Sequence, residues 1–259
     1  MVLVDIASQD GTPDRVRRAF PDVTVLRLAR NAGAVARNDG VRACRTPYVA
    51  FADDDSWWEP GALERAADLL DAHPHIGLLA GRLLVGDAGV LDPMCAEMAR
   101  SPLGTRPGEP GPRVLGFIAC GAIVRRDAYL EAGGFDPVVF FAGEEERLAL
   151  DLASRGWALC YAPEVVGRHL PSTSREAGVR PVQIQRNEIL TSVMRRPLRR
   201  TLRLALRALR TVHGRRALIA AVPRLPAAIR ARRRLPPDIE AARQLLDGDQ
   251  RPTPGLVRG

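Results

Sequence analysis

The chain has 259 residues, of which 46% are hydrophobic and 26% charged, and a formal net charge of +8. That length holds one large α/β domain with an appendage. No apolar run reaches the roughly 18 residues a membrane span needs, and no secretory leader pattern opens the chain, so a cytoplasmic protein is expected.

All 38 basic residues are Arg, and they are unevenly placed. Residues 175–259 hold 20 Arg against 6 acids, whereas residues 1–174 hold 18 Arg against 24 acids. The shift in charge divides the chain into a unit over 1–174, a basic helical extension over 175–250 and a disordered tail over 251–259. Cys44, Cys95, Cys120 and Cys160 are scattered with no C-x-x-C pair, and are expected to be reduced, small apolar core residues.

Val2-Leu3-Val4 reads as a short buried strand running into Asp5, then Ser8-Gln9-Asp10-Gly11, a turn, and a helix opened by Pro13. Val23–Leu28 alternates like a strand, and Asn31-Ala32-Gly33 opens a second helix. Residues 48–52 form an apolar strand that ends abruptly in Asp53-Asp54-Asp55. Three acids at a strand end repel one another unless a cation or solvent compensates, and oxygen ligands suit Mg²⁺ or Mn²⁺. The alternative is a solvated turn in which Asp55 or Ser56 caps the next helix. That helix is amphipathic, with Leu63, Ala66, Ala67, Leu69 and Leu70 inward, and a strand follows at Ile76–Ala80. Strands alternating with helices predict a mostly parallel sheet.

Residues 86–112 are rich in Gly and Pro and read as a long loop. Val114–Val124 reads as a strand interrupted by Gly116 and Gly121, where backbone can approach a ligand. A short helix over Arg126–Ala132 stops at Gly133-Gly134. Glu144-Glu145-Glu146 opens a helix that stops at Gly156, and two short strands follow, Trp157–Tyr161 and Glu164–Gly167, then His169.

These pieces in this order resemble a family 2 glycosyltransferase of the GT-A fold: Val4-Asp5-x-x-Ser8-x-Asp10-Gly11-Thr12, Asn31-x-Gly33-x-x-x-Arg37-Asn38, the D-x-D pattern Asp53-Asp54-Asp55, Gly133-Gly134-Phe135-Asp136, Gly143-Glu144-Glu145 and His169. The resemblance covers residues 2–172. It implies a catalytic domain over 1–174 that moves a sugar from a nucleotide-diphosphate donor (a UDP-sugar or similar) to an acceptor hydroxyl, with inversion and the help of a divalent cation, Mn²⁺ or Mg²⁺. It also implies roles. Asp5, Ser8, Arg37, Asp53, Asp54, Cys120 and Gly121 would bind nucleotide and donor. Asp55, Asp53 and His169 would hold the metal. Glu145 would be the catalytic base with Glu144 second, since Glu145 stands where the family commonly has an Asp.

Two departures accompany the likeness. The family begins with a further strand and helix ahead of Asp5 for which this sequence has no residues, so the sheet edge beside Val2–Val4 is expected to be unpaired. Arg147 stands where another acid is usual. The alternative to an enzyme is a non-catalytic nucleotide-sugar-binding or interaction module derived from the same fold. The acceptor is open: a glycan, a lipid-linked molecule or a small molecule.

In the extension, Leu198, Leu202, Leu206 and Leu209 recur at helical spacing with Arg199, Arg203, Arg207 and Arg210 largely opposite. Such a helix either lies on an anionic membrane surface or docks on the catalytic unit with its Arg face in water. The first reading makes the protein peripheral on the inner face of the cell membrane, in contact through 196–234. No aromatic residues interleave the Arg there, so nucleic acid is not an expected partner.

Overall fold

The computed structural model describes residues 1–171 and 180–249. The expected domain boundary at 174 and the expected disordered tail over 251–259 lie outside the described residues.

The chain opens with β1 (Val2–Asp5), α1 (Thr12–Ala19) and β2 (Thr24–Arg27), and the two strands pair parallel with Asp5 opposite Arg27. Among the described residues β1 pairs with β2 alone. A 3-10 turn over Gly33–Val35 leads into α2 (Ala36–Ala43), which lies on β1 so closely that a Cβ at Gly40 would sit 3.0 Å from Val4 Cγ2. There follow β3 (Tyr48–Ala50), β4 (Ser56–Trp58), α3 (Ala62–Ala72), β5 (Ile76–Val85), β6 (Val90–Leu91), α4 (Pro93–Ala99), β7 (Ala122–Arg125), α5 (Arg126–Ala132), α6 (Glu144–Ala153) and β8 (Ala158–His169). The extension supplies α7 (Arg180–Arg195), α8 (Leu198–Ala208), α9 (Val212–Ala221), α10 (Leu225–Arg230) and α11 (Pro237–Asp249).

The architecture is α/β, as expected, but the sheet is mixed rather than mostly parallel. Its second part runs β3-β7-β5-β8-β4, with β6 on β5. Among the described residues only β1–β2 and β5–β8 pair parallel; β3–β7, β5–β7, β4–β8 and β5–β6 are antiparallel. Parallel neighbours need a long crossover. The chain supplies one before β2 and others between β5 and β8, whereas β5 and β6 are joined by a tight hairpin.

Five local expectations are corrected. The acids lead into β4, not into a helix. The 86–112 segment carries β6 and α4, because Asp92 Oδ1 accepts the Met94 N–H at 2.8 Å, Pro93 sits at the first helical position, and Cys95 and Met98 then face the core. The strand expected from Val114 begins only at Ala122, after a buried 3-10 turn over Ala119–Gly121. The two strands expected after Trp157 are one strand, β8, with an irregularity where Ala162 and Val166 face Gly81 and Arg82; Pro163, which has no N–H to give, lies in the bulged stretch. In α3, Leu63 is exposed and Ala62 takes the buried position.

Alternate residues of the sheet feed two cores. Ala122 and Val124 of β7 join Phe51, Tyr129, Phe135 and the leucines of α6, whereas Ile123 joins Leu69 and Leu70 of α3. A third cluster lies among α7–α10 and reaches back through Val139. Partly buried Ile239, Ala242 and Leu246 of α11 pack against the first core. The extension is therefore packed on the sheet unit, not strung from it.

Polar contacts fasten the same joint. Asp151 of α6 takes Arg195 Nε at 2.7 Å and also pairs with Arg147, whose Nη2 lies 3.0 Å from Asp136. All three members of the Arg147–Asp151–Arg195 triad are buried. Burial, then the nearby Arg195, lowers the Arg147 guanidinium to about 9. Arg147, the departure noted above, is thus a structural hub. Further along α11, Arg243 reaches Glu146 at 2.8 Å.

Candidate active site

The site is built around the exit of β3. Beyond Ala50 the chain is held in place by Ser56, whose Oγ accepts the Asp53 N–H at 2.7 Å, and by Trp58 Nε1, which donates to Phe51 O at 3.0 Å. Asp54 is exposed, while Asp53 and Asp55 are half-buried. Asp53 pairs with Arg37, which projects from α2 and lies over the Phe135 ring at 5.8 Å. Burial alone would lower the Arg37 guanidinium. The charge of Asp53, with Glu144 and Glu145 beyond it, outweighs burial and holds it above its ordinary value.

Asp55 turns the other way. Its Oδ1 lies 3.3 Å from His169 Nε2, because β4 pairs antiparallel with β8 and sets Ser56 opposite His169. Cys120 and Gly121 are buried in the 3-10 turn ahead of β7. Burial, with Asp53 and Asp55 close by, pushes the Cys120 thiol up to about 12, so it is a packing residue facing acids rather than a nucleophile.

The N-terminus of α6 completes the group. Burial, then the charge of Glu145, raises Glu144 to about 7. Glu144 is 2% exposed, and its Oε2 has no hydrogen-bond partner among the described residues. Burial also raises Glu145, against a hydrogen bond from the Ala119 backbone N–H and the pull of Arg37. Two adjoining carboxylates pushed toward neutrality titrate as a pair and suit proton transfer near pH 7.

Asp5 stands at the end of β1, 5% exposed, accepting the Ser8 N–H at 3.3 Å on both oxygens and facing Arg27 Nε at 3.9 Å. Beside it is an open groove of about 400 Å³ lined by Ala7, Ser8, Gln9, Arg27, Leu28 and Ala29. It has the polar walls a nucleobase and ribose need.

The structure thus brings Arg37, Asp53, Cys120, Glu144 and Glu145 together, and pairs Asp55 with His169. It does not gather Asp53, Asp55 and His169 into one ligand set, since Asp53 is neutralised by Arg37. Among the described residues no group of three His, Cys, Asp or Glu is arranged for a metal. A carboxylate beside an imidazole fits a borderline ion such as Mn²⁺ better than the all-oxygen shell Mg²⁺ prefers.

Sequence reasoning missed Asn187 of α7. It is fully buried, and its Nδ2 donates to Phe141 O and Ala142 O, both at 2.6 Å. The segment it holds enters α6 through left-handed backbone at Phe140 (φ 70°), Ala142 (φ 70°) and Gly143 (φ 92°), a conformation non-glycine residues adopt only under constraint. On the other side Phe140 O accepts the Ala34 N–H at 2.9 Å, and a Cβ at Gly33 would lie 2.8 Å from that oxygen. The acid pair is therefore aimed by a loop gripped from two sides. A buried Asn in a helix after a basic stretch carried no signal of this.

The model for glycosyl transferase family 2 matches residues 1–133, half of the chain. An N-acetylglucosaminyl-diphospho-decaprenol L-rhamnosyltransferase of Mycobacterium tuberculosis is 28% identical over 211 residues, which are 68% of each chain. The structure of S. aureus TarS (residues 1-349) in complex with UDP-GlcNAc superposes with a TM-score of 0.56 at 18% identity, covering 86% of this chain and 62% of that one. The mannosyltransferase PcManGT from Pyrobaculum calidifontis, in complex with GDP-Man and Mn²⁺, gives 0.53 at 21% identity over 95% of this chain and 69% of that one. The chain belongs to glycosyl transferase family 2 and carries its GT-A fold.

Proposed function

We propose that the protein transfers a sugar from a nucleotide-diphosphate donor to a hydroxyl of a lipid-linked acceptor, with inversion and with a divalent cation bound at Asp55 and His169. The observation that carries this is the raised Glu144–Glu145 pair set beside Arg37 and Asp53, at the acidic exit of β3. Glu145, half-buried where Glu144 is closed off, takes the proton of the acceptor hydroxyl as that oxygen attacks the anomeric carbon and the bond to the diphosphate breaks. Arg37, fixed by Asp53, presents positive charge toward the departing group. Asp5 and Ser8 hold the nucleobase in the groove beyond β1, and the Cys120-Gly121 backbone lines the sugar. When bound, the cation neutralises charge on the diphosphate. UDP-GlcNAc and GDP-Man, the ligands of the two solved relatives, share a nucleoside diphosphate, and the name of the mycobacterial relative contains a diphospholipid. An acceptor of that class supports a position on the inner face of the cell membrane, in peripheral contact through 196–234.

Thermal shift with UDP- and GDP-sugars, with and without Mn²⁺, tests the reading. A donor at 100 times its Kd adds about 2.7 kcal/mol of stability. Asp55→Ala is expected to remove the part of that gain that needs Mn²⁺. A donor that stabilises the protein yet is never turned over with any lipid-linked acceptor would return the non-catalytic alternative.

The pH profile gives a second test. Burial raises Glu145 above the ordinary carboxylate range, and a protonated carboxyl is useless as a base. The acid limb of kcat/KM is therefore expected above the ordinary 4.5. A limb below pH 5 would remove the acid pair from the chemistry.

A further inference from the structure

From Ile189 to Pro237 the sequence contains 14 Arg and no Asp or Glu. Within that stretch the structure decides a matter that periodicity leaves open, namely which way the leucines of α8 face. They face water: Leu198 is 65% exposed, Leu202 60%, Leu206 52% and Leu209 51%. At 3.6 residues per turn these four form one stripe. Thr201, Leu204, Ala205 and Ala208 lie on its protein side, with Ala208 fully buried. Arg199, Arg203, Arg207 and Arg210 are exposed on its other side.

The apolar surface does not stop at α8. Thr201 and Ala205 form one wall of an open groove of about 350 Å³, and Ile219 and Val222 form part of the other, both themselves exposed. A soluble surface that leaves this many large aliphatic side chains contiguous marks a contact. The rim specifies its partner: an apolar stripe edged by a row of Arg, in a segment with no acid, complements acyl chains beneath anionic headgroups.

We propose that the outward face of α8, continued across the groove to Ile219 and Val222, is a membrane-binding surface. It lies in the plane of an anionic bilayer, with the leucines among the acyl chains and Arg199, Arg203, Arg207 and Arg210 at the headgroups. It rests on the membrane placement of the transfer reading and gives that placement its residues. It also differs from a purely electrostatic attachment, because aliphatic burial is insensitive to salt while Arg–headgroup attraction is screened.

The test is co-sedimentation of the full chain with vesicles of phosphatidylcholine alone, or of phosphatidylcholine and phosphatidylglycerol in equal parts, without sugar nucleotide or acceptor. Binding is expected on the anionic vesicles and at least tenfold weaker on the neutral ones. The double variant Leu202→Ser, Leu206→Ser is expected to lose at least tenfold at any salt concentration. The double variant Arg203→Gln, Arg207→Gln is expected to lose binding chiefly at low salt, where the Arg contribution is largest. Both alter exposed side chains, and an unchanged melting temperature confirms that each variant is folded. The proposal is overturned if the wild type ignores anionic vesicles, if the leucine variant binds as well as wild type, or if the leucine variant instead dissolves a concentration-dependent dimer. Vesicle binding by a protein that no sugar nucleotide stabilises would sink the transfer reading and leave this surface standing.

Discussion

Glu145→Gln is expected to lower kcat by about 10²–10⁴-fold, the range for removing a general base, while the Mn²⁺-dependent thermal shift produced by donor stays as in wild type. The amide keeps the shape of the carboxylate but takes up no proton. Glu144→Gln is expected to act differently. Glu144 is 2% exposed and closed off from an acceptor, so its neutralisation should cost less rate than that of Glu145. Single-turnover transfer and a pH series on both variants separate the roles. Normal turnover by Glu145→Gln would displace the base from this helix altogether.

Asp151→Ala is expected to destabilise the fold by about 3–5 kcal/mol, the cost of leaving a buried charge without its partner. Here the loss would leave Arg195 without its carboxylate and Arg147 with Asp136 alone in the interior. Urea melts monitored by circular dichroism measure it. Replacing all three members by apolar residues of similar volume should recover much of the loss, because the triad's worth lies in mutual neutralisation and not in net gain over a packed core. If Asp151→Ala cost under 1 kcal/mol, the joint between α6 and α7 would have to be held by its leucines alone.

Much of the site was legible because its chemistry sits in short, local patterns. An apolar strand that ends in acids, as at Ala50 to Asp55, announces its crevice end without reference to the rest of the chain. Gly133, at φ 87°, ends α5 where the Gly-Gly pair placed the stop. Asp5 fell at the end of β1 for the same reason.

What escaped depends on distance or direction. The pairing of β7 between β3 and β5 joins residues far apart in sequence, so alternation of helices and strands pointed to a mostly parallel sheet where the pairing is mixed. The division of the acids, Asp53 to Arg37 and Asp55 to His169, follows from how α2 and β8 pack and not from the D-x-D spacing. Helical periodicity placed Leu198, Leu202, Leu206 and Leu209 in one stripe but was silent on its orientation. Asp92-Pro93 was a readable helix start inside the supposed loop, outweighed by the glycines and prolines around it.

Asn187 has a wider consequence. The side chain that steadies the entry to α6 belongs to the arginine-rich appendage, so the candidate acid pair takes its aim from helices outside the sheet unit. A nudge to those outer helices, such as the one a lipid surface would deliver on engaging α8 as proposed, has a route through α7 and the Asn187 hydrogen bonds to the start of α6. If α8 attaches to a bilayer as proposed, attachment and chemistry are in that sense mechanically joined.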